Sequence, residues 1–592
     1  MKILKQKIKD IFGIDYRSLA LLRIGIGLTI IVDLVQRSSN LIAHYADRGI
    51  LPRQALYEFY AGPWNFSIHT AMGIWQYEII LFIIAFIFGL FLIIGYKTIL
   101  STIISFILLI SLQNRNPLIL QGGDVIFRVV LFWGMFLPWG KYFSIDSILK
   151  NEKLNKKIYL GASTIAYTLQ IVIFYLFSGI LKTGDAWVKD GTAVYYALSI
   201  DQFATNLGHY LLQFPSLLTF LTFFVLYLEI YGSLLLLSPF KTGKIRILII
   251  FLFAMMQIGI NSTMSIGLFG MISIVVTLGL LPSYFWDSII KNIRNKLISK
   301  KNTTSILYYD SNCSFCYKLS FIIKKVLFLP KNLSILESTE DEKISQIMYE
   351  KNSWVFKNEK GELYFKTKAL KELLKISPIF FIFSPLFSIK IIQKISDKIY
   401  DKIAKNRLTI CTIENKEKEN KFKITKIIKE VFLACCILYM ILINLQSVPN
   451  SAILVPENIE NLGVATLLDQ HFDMFTPTPL TEDGWYVIPG NLIDNTEVDV
   501  FRNEEKVSFE KPKNILYENQ RWQKYFLNLW YEKYTPYRLY YGKYLCREWN
   551  KTHTGNNQLK NFDVLFMMER TELNNQTDDI VPIKVSHHEC FN

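Results

Sequence analysis

Repeated apolar stretches near the length that crosses a bilayer constrain this chain more than any motif it carries. They cover 18–38, 78–95, 98–113, 123–140, 163–181, 215–237, 245–262 and 266–282, with a ninth over 430–447. A helix rises about 1.5 Å per residue, so roughly 20 residues traverse the ~30 Å hydrocarbon core. Hydrophobic residues make up 51% of the 592 and aromatic residues 15%. A water-exposed surface does not accommodate that many apolar side chains. The expected architecture is a polytopic α-helical membrane bundle of about nine spans, with the lipid bilayer as its first partner.

A net charge of +15 suits either nucleic acid or an anionic membrane surface. The lysines gather at span ends and around 283–301, which is the pattern of the positive-inside rule and sets nucleic acid aside. With the N-terminus cytoplasmic, Lys97, the loop 141–160 with its five lysines, 241–246, 291–301 and 416–430 all fall inside. The lysine-poor loops 39–77, 113–123, 182–214 and 261–265 fall outside, and the nine-span count puts 448–592 there too. The basic, amphipathic start leads into an apolar run that carries Arg23 and Asp33 and has no small-residue cleavage site. It is expected to be a retained first span in a bacterial inner membrane.

Between the eighth and ninth spans, 303–428 has the composition of a soluble domain. A β-type run, Ser305-Ile-Leu-Tyr-Tyr, leads into Asp310-Ser-Asn-Cys313-Ser-Phe-Cys316 and then a helical pattern. Further strands are expected at 333–336, 353–357 and 362–365. Strand, Cys-x-x-Cys, helix is the thioredoxin-like order, α/β in class. In that turn the first cysteine sits at a helix N-terminus, where the free N–H groups and the dipole stabilise a thiolate. Cys313 is then the nucleophile and Cys316 the resolving thiol. No second Cys-x-x-Cys or nearby His completes a metal set, so no metal is expected. Cys435 and Cys436 in the ninth span read as small packing residues, with a thiol relay toward a quinone as the lesser alternative.

The tail, 448–592, reads as an extracytoplasmic α+β domain, with short strands at 485–488, 498–501 and 507–509. The stretch 522–549, crowded with Trp, Tyr, Arg and Lys, reads as a helix that packs on the rest of the tail or lies at the membrane interface. Cys546 and Cys590 stand alone in an oxidising compartment, so a disulfide between them is expected to tie the tail together.

Ionisable groups at membrane depth are costly, so Arg23, Asp33, Asp124, Arg128, Lys182 and Glu229 are expected to face one another or a wet cavity. Asp33, Arg128 and Glu229 read first as pairs that hold helices together. A lysine at the mouth of an apolar cavity can instead act as a base. Asp15-Tyr-Arg-Ser, Leu22-Arg-Ile-Gly, Tyr45-Ala-Asp-Arg-Gly-Ile-Leu-Pro-Arg53, Arg115-Asn-Pro, Gly122-Gly-Asp124 and the run from Phe136 to Asp146 resemble the HTTM (vitamin-K-dependent carboxylase-like) family over about 10–290. Ser178-Gly-Ile-Leu-Lys182-Thr-Gly-Asp185-Ala-Trp187 resembles the carboxylase stretch with its catalytic lysine, and Lys182 matches that lysine. The resemblance implies Lys182 as an outward-facing base, supported by Arg115, Asn116, Asp124 and Asp185, acting on a quinone-like lipid or an exported peptide. Asn116 and Ile258 stand where that family has histidines, so full epoxidation and carboxylation are not expected. Tyr309-Asp310 with the Cys pair, and the run from Ile399 to Arg407, resemble the DCC (DUF393) thiol-disulfide oxidoreductase-like family, with Ser311 in place of its Gly.

The resulting organisation is a bundle over 1–290, a thioredoxin-like domain over 303–428, a span over 429–447 and an outer domain over 448–592. Two functions are in view: a membrane oxidoreductase or modifying enzyme, and a non-catalytic receptor or maturation factor for an exported polypeptide.

Overall fold

The computed structural model describes residues 2–591 except 61, 63, 150–155, 299–304, 312–313, 328, 331–332, 378–379, 412–421, 467, 513–516 and 574–579. An exposed N-terminal helix, α1 (Lys2–Phe12), precedes α2 (Tyr16–Ser38). Asp15 caps α2 by accepting from the Arg17 N–H at 2.8 Å, which satisfies a donor that the first helical turn leaves free. The bundle continues through α3 (Trp75–Ile94), α4 (Thr98–Arg115), α5 (Gly122–Gly134), α6 (Ala162–Ile180), α7 (Pro215–Leu235) and α8 (Thr242–Thr263). It closes with α9 (Phe269–Leu278) and α10 (Ser283–Ile298), and α11 (Phe422–Gln446) follows the 303–428 region.

Among the described residues, seven helices are long and apolar enough to cross a membrane, or eight if the bent pair α9–α10 forms one span. The span expected over 123–140 is instead the 13-residue α5, with most of its side chains buried in the bundle. At ~1.5 Å per residue it reaches about 20 Å, and the turns after it complete the passage, from Asp124 beside Arg521 to Phe143 beside Arg23 at the opposite end of the bundle. The chain leaves the helix before Pro138 and turns on Trp139, itself buried. The eighth expected span, 266–282, is α9 followed by an 85° bend into α10. Position within the bundle follows composition. The span window of α6 is 72% buried and forms the centre, whereas those of α3 and α11 are 28% buried and face outward. The exposed residues of α3, among them Ile80, Ile83, Phe86 and Ile87, therefore face lipid.

The two ends of the bundle differ. At one end Gly95 takes a left-handed conformation (φ 69°) between α3 and α4, and a Cβ there would collide with Arg23 and Ser144. Arg23 uses this space to donate to Leu92 O at 2.7 Å and to Phe143 O at 2.5 Å. Arg17 pairs there with Asp15 and Asp287. The other end is capped by the C-terminal domain.

The 303–428 region forms a four-stranded sheet in the order β2-β1-β3-β4. Its strands are β1 (Ile306–Tyr309), β2 (Ser334–Glu337), β3 (Val355–Lys357) and β4 (Leu363–Phe365). β1 and β2 run parallel, joined through the helix Ser314–Val326, while β1–β3 and β3–β4 are antiparallel. Leu307, Phe356 and Leu373 make its core. The helix Ser314–Val326 lies against Ile145–Leu149, at the uncapped end.

The C-terminal domain holds β5 (Glu482–Val487), β6 (Pro489–Leu492), β7 (Glu497–Asp499), β8 (Leu559–Arg570) and β9 (Val581–Glu589). β8 is the hub and pairs antiparallel with β9, β5 and β6. Residues 507–509, expected as a strand, are irregular. The expected helix over 522–549 is two helices, α12 (Gln520–Trp530) and α13 (Thr535–Thr552). The break falls just before Pro536, which is favoured in a first turn and breaks a helix interior. Cys546 on α13 is bonded to Cys590, just beyond β9, with their Cα atoms 5.3 Å apart.

This domain is sewn into the bundle by buried charge. Arg521 on α12 donates to Asp124 Oδ2 at 2.5 Å and to Asp33 Oδ1 at 3.0 Å. Arg37 donates to Asp33 Oδ2 at 2.8 Å, Asp124 Oδ1 at 2.6 Å and the Tyr45 hydroxyl at 2.7 Å. Removing one member of such a set leaves an uncompensated buried charge, which costs about 3–5 kcal/mol. Arg521→Ala is therefore expected to lower the unfolding temperature in detergent and to make the C-terminal domain cleavable by added protease. Wild-type protease resistance in that variant would show that apolar packing alone holds the cap.

Candidate functional site

Lys182 follows α6 at the capped end. Its ammonium donates to Ser178 O at 2.9 Å and to Glu229 Oε2 at 2.6 Å, and its side chain is only 5% exposed. It also lies 5.0 Å from the centre of the Trp187 ring, within range of a cation–π attraction. Glu229 projects from a π turn, Leu228–Gly232, inside α7; such turns re-aim side chains and recur at functional sites. Gly179 allows the approach, because a Cβ there would press on Ile230 and Glu229. The segment 475–478 of the tail covers the loop after Lys182. Trp187 Nε1 donates to Phe475 O at 2.9 Å, and Gly184 N to Pro477 O at 3.0 Å.

The four residues expected to support Lys182 have other partners. Arg115 is buried and donates to Leu51 O at 2.8 Å, with Asp47 at 3.7 Å. Asn116 donates to His44 O at 2.8 Å and accepts from Leu118 N at 3.2 Å. Asp124 belongs to the four-charge cluster with Asp33, Arg37 and Arg521. Asp185 is exposed and pairs with Lys189 at 2.9 Å. Of the other intramembrane charges, Arg128 pairs with Asp469 at 2.9 Å. The capped end thus carries three clusters, built around Lys182–Glu229, around Arg115–Asn116 and around the four charges.

Sequence reading passed over several participants. Arg37 and Arg521 complete the cluster, and the only sequence signal for Arg521 was a basic residue in an aromatic helix. His44 is buried against Trp522, with ring centres 4.8 Å apart, and neither ring nitrogen has a hydrogen-bond partner. Burial, with Arg521 and Arg37 nearby, pushes its pKa down to about 3, so the ring is neutral. His69 and Glu78 form a buried pair at 2.5 Å.

At the uncapped end, Cys316 stands in the first turn of Ser314–Val326, half-buried; Cys313 lies outside the described residues. A mostly apolar cleft of about 330 Å³ opens beside Cys316, walled by Tyr309, Asp310, Trp354, Lys366 and Tyr400. Hydrogen bonds set its walls: the Trp354 N–H donates to the Tyr400 hydroxyl at 3.0 Å, and Trp354 Nε1 donates to Lys366 O at 3.2 Å. Burial and the adjacent Glu337 push the Tyr309 phenol up to about 12, so it stays protonated. Cys435 faces outward on α11 and Cys436 packs inward beside Leu433 and Met440.

Among the described residues one acidic trio, Asp201, Asp483 and Glu569, has metal-like spacing. The Lys511 ammonium sits in it, paired with Asp201 and Glu569. Asp483 instead accepts from Asp201 N and, at 3.1 Å, from Gln202 Nε2.

The fold and its buried ion pairs define a polytopic helical membrane protein. Within it, residues 13–286 match the family model of the HTTM domain. No curated protein and no solved structure matches the chain.

The Asp483 carboxyl, raised to about 7 by burial and by Asp201, makes the contact between this domain and the 201–205 loop pH-dependent. The folded state holds a proton that the unfolded chain releases near pH 4. The associated stability is present in full below that and is lost as pH rises through about 7. Thermal unfolding of the detergent-solubilised protein should fall between pH 5 and 8, and Asp483→Asn should flatten that difference. An equal slope in the variant would assign the dependence to another group.

Proposed function

We propose that this protein is a membrane oxidoreductase with two separate sites, a thiol pair in the 303–428 domain and a proton-handling lysine in the bundle. The observation that carries the reading is the cleft beside Cys316, large enough for a side chain or small thiol and walled by aromatic groups. The sheet order β2-β1-β3-β4, with the Cys-x-x-Cys turn between β1 and its helix, supports a thioredoxin-like DCC domain. In the reaction the Cys313 thiolate attacks a substrate disulfide and releases one substrate thiolate. Cys316 then attacks Cys313 and releases the second, so the substrate gains two electrons and the pair becomes a disulfide. A second dithiol resets it, and the reverse sequence oxidises a dithiol.

In the bundle, Lys182 is the base. Its amine, held at 2.6 Å from Glu229, exchanges a proton with that carboxylate and takes one from a quinone-like lipid or an exported peptide. The HTTM match over 13–286 is consistent with such a membrane modifying role. Lysine distribution supports a cytoplasmic N-terminus, an extracytoplasmic C-terminal domain and a bacterial inner membrane.

A second reading has its own support. The tail segment 475–478 covers the Lys182 loop and Arg521 closes the neighbouring cluster, as in a non-catalytic receptor or maturation factor whose outer domain binds an exported polypeptide.

Two measurements separate these readings. In the full chain, redox titration against glutathione with alkylation of 313 and 316 should show one two-electron transition, about 30 mV per tenfold change. Two alkylatable thiols at every potential would remove the thiol site. For the bundle, Lys182→Met should destabilise by about 3–5 kcal/mol, and Lys182→Met with Glu229→Met should restore stability. A lipid extract of the wild type should contain a quinone that the restored double variant no longer retains. Absence of quinone from the wild-type extract favours the receptor.

A further inference from the structure

The soluble domain carries an apolar surface that its own fold leaves uncovered. In 380–389, Phe381, Ile382, Phe383 and Leu386 are 45–67% exposed. The following helix, Lys390–Cys411, extends this surface with Ile391, Ile395 and Ile399, each more than half exposed. Spaced four apart, they form one stripe. Lys390, Lys394, Lys398 and Lys402, all exposed, repeat at the same interval and so make a parallel basic stripe about 100° away. The acidic residues of these turns point back into the domain: Asp397 accepts from Thr367 N at 3.2 Å and Asp401 pairs with Lys366 at 2.7 Å.

We infer that this surface docks on a bilayer rich in anionic lipid. An apolar stripe beside a stripe of lysines is the arrangement of a helix lying in the headgroup layer, with the apolar side chains below and the ammonium groups at the phosphates. A second copy of the chain fits worse, because pairing two such faces sets lysines against lysines. The domain is also held at membrane level from both sides. Helix Ser314–Val326 lies against Ile145–Leu149 of the bundle. Residues 412–421 alone separate Lys390–Cys411 from α11, and ten residues reach at most about 35 Å. The Cys316 cleft is walled in part by Ile399 and Tyr400 of this helix, so docking would turn the cleft toward the membrane surface. The inference stands whether or not the thiol pair is redox-active.

The test is amide hydrogen exchange on the full chain in nanodiscs of phosphatidylcholine alone and with added phosphatidylglycerol. Peptides covering 380–400 should exchange about tenfold more slowly in the anionic discs, and high salt should reverse the protection. Lys390→Glu with Lys394→Glu and Lys398→Glu should abolish it while β1–β4 exchange as in the wild type. If that variant perturbs the sheet, the wild-type comparison between lipids decides alone. Equal exchange in both discs overturns the inference, as does protection that grows with protein concentration regardless of lipid charge.

Discussion

Two aspartates and two arginines, sealed from solvent where the bundle meets its cap, set the arrangement of everything around them. Asp33 and Asp124 come from two helices of the bundle, Arg37 from the end of the first, and Arg521 from a domain almost four hundred residues further along the chain. Their formal charges cancel, and each carboxylate meets both guanidinium groups. With any one missing, the others would be buried charges without compensation, and the bundle end would have to open to water. The C-terminal domain is therefore part of the bundle's interior and not an appendage to it.

That closure bears on chemistry. Lys182 and Glu229 lie at the same end, under a segment of the tail, so access to the amine requires either an approach through the bundle side or movement of the cover. Cys316 lies at the opposite end, beside a cleft that is open. The two regions have separate local designs: a π turn that aims a carboxylate at a lysine, and the first turn of a helix that carries Cys316. The uncovered apolar face on the thiol domain adds a third element, a contact with the membrane surface from outside the spans.

Periodicity and composition made the membrane bundle legible, because a helix in hydrocarbon must satisfy its backbone internally and show apolar side chains all round. The same reasoning drew the helix of α5 too long: it ends at Gly134 and turns carry the chain the rest of the way, buried against other helices, because burial in protein and burial in lipid select the same residues. Local order also carried the sheet of the 303–428 region, since β1 and the helix Ser314–Val326 lie close together in the chain. In the tail, aromatic crowding concealed both the break before Pro536 and the role of Arg521.

Sequence by itself determined the helical membrane class and several of the buried charges, among them Asp33, Asp124, Lys182 and Glu229, because length, periodicity and charge are properties of neighbouring residues. Only the tertiary structure decided which charges meet. Lys182 finds Glu229 rather than Arg115, Asn116 or Asp185, and Asp124 finds Arg521, because buried ions pair with whatever partner packing brings within about 3 Å, and that distance is not written in any local stretch of chain.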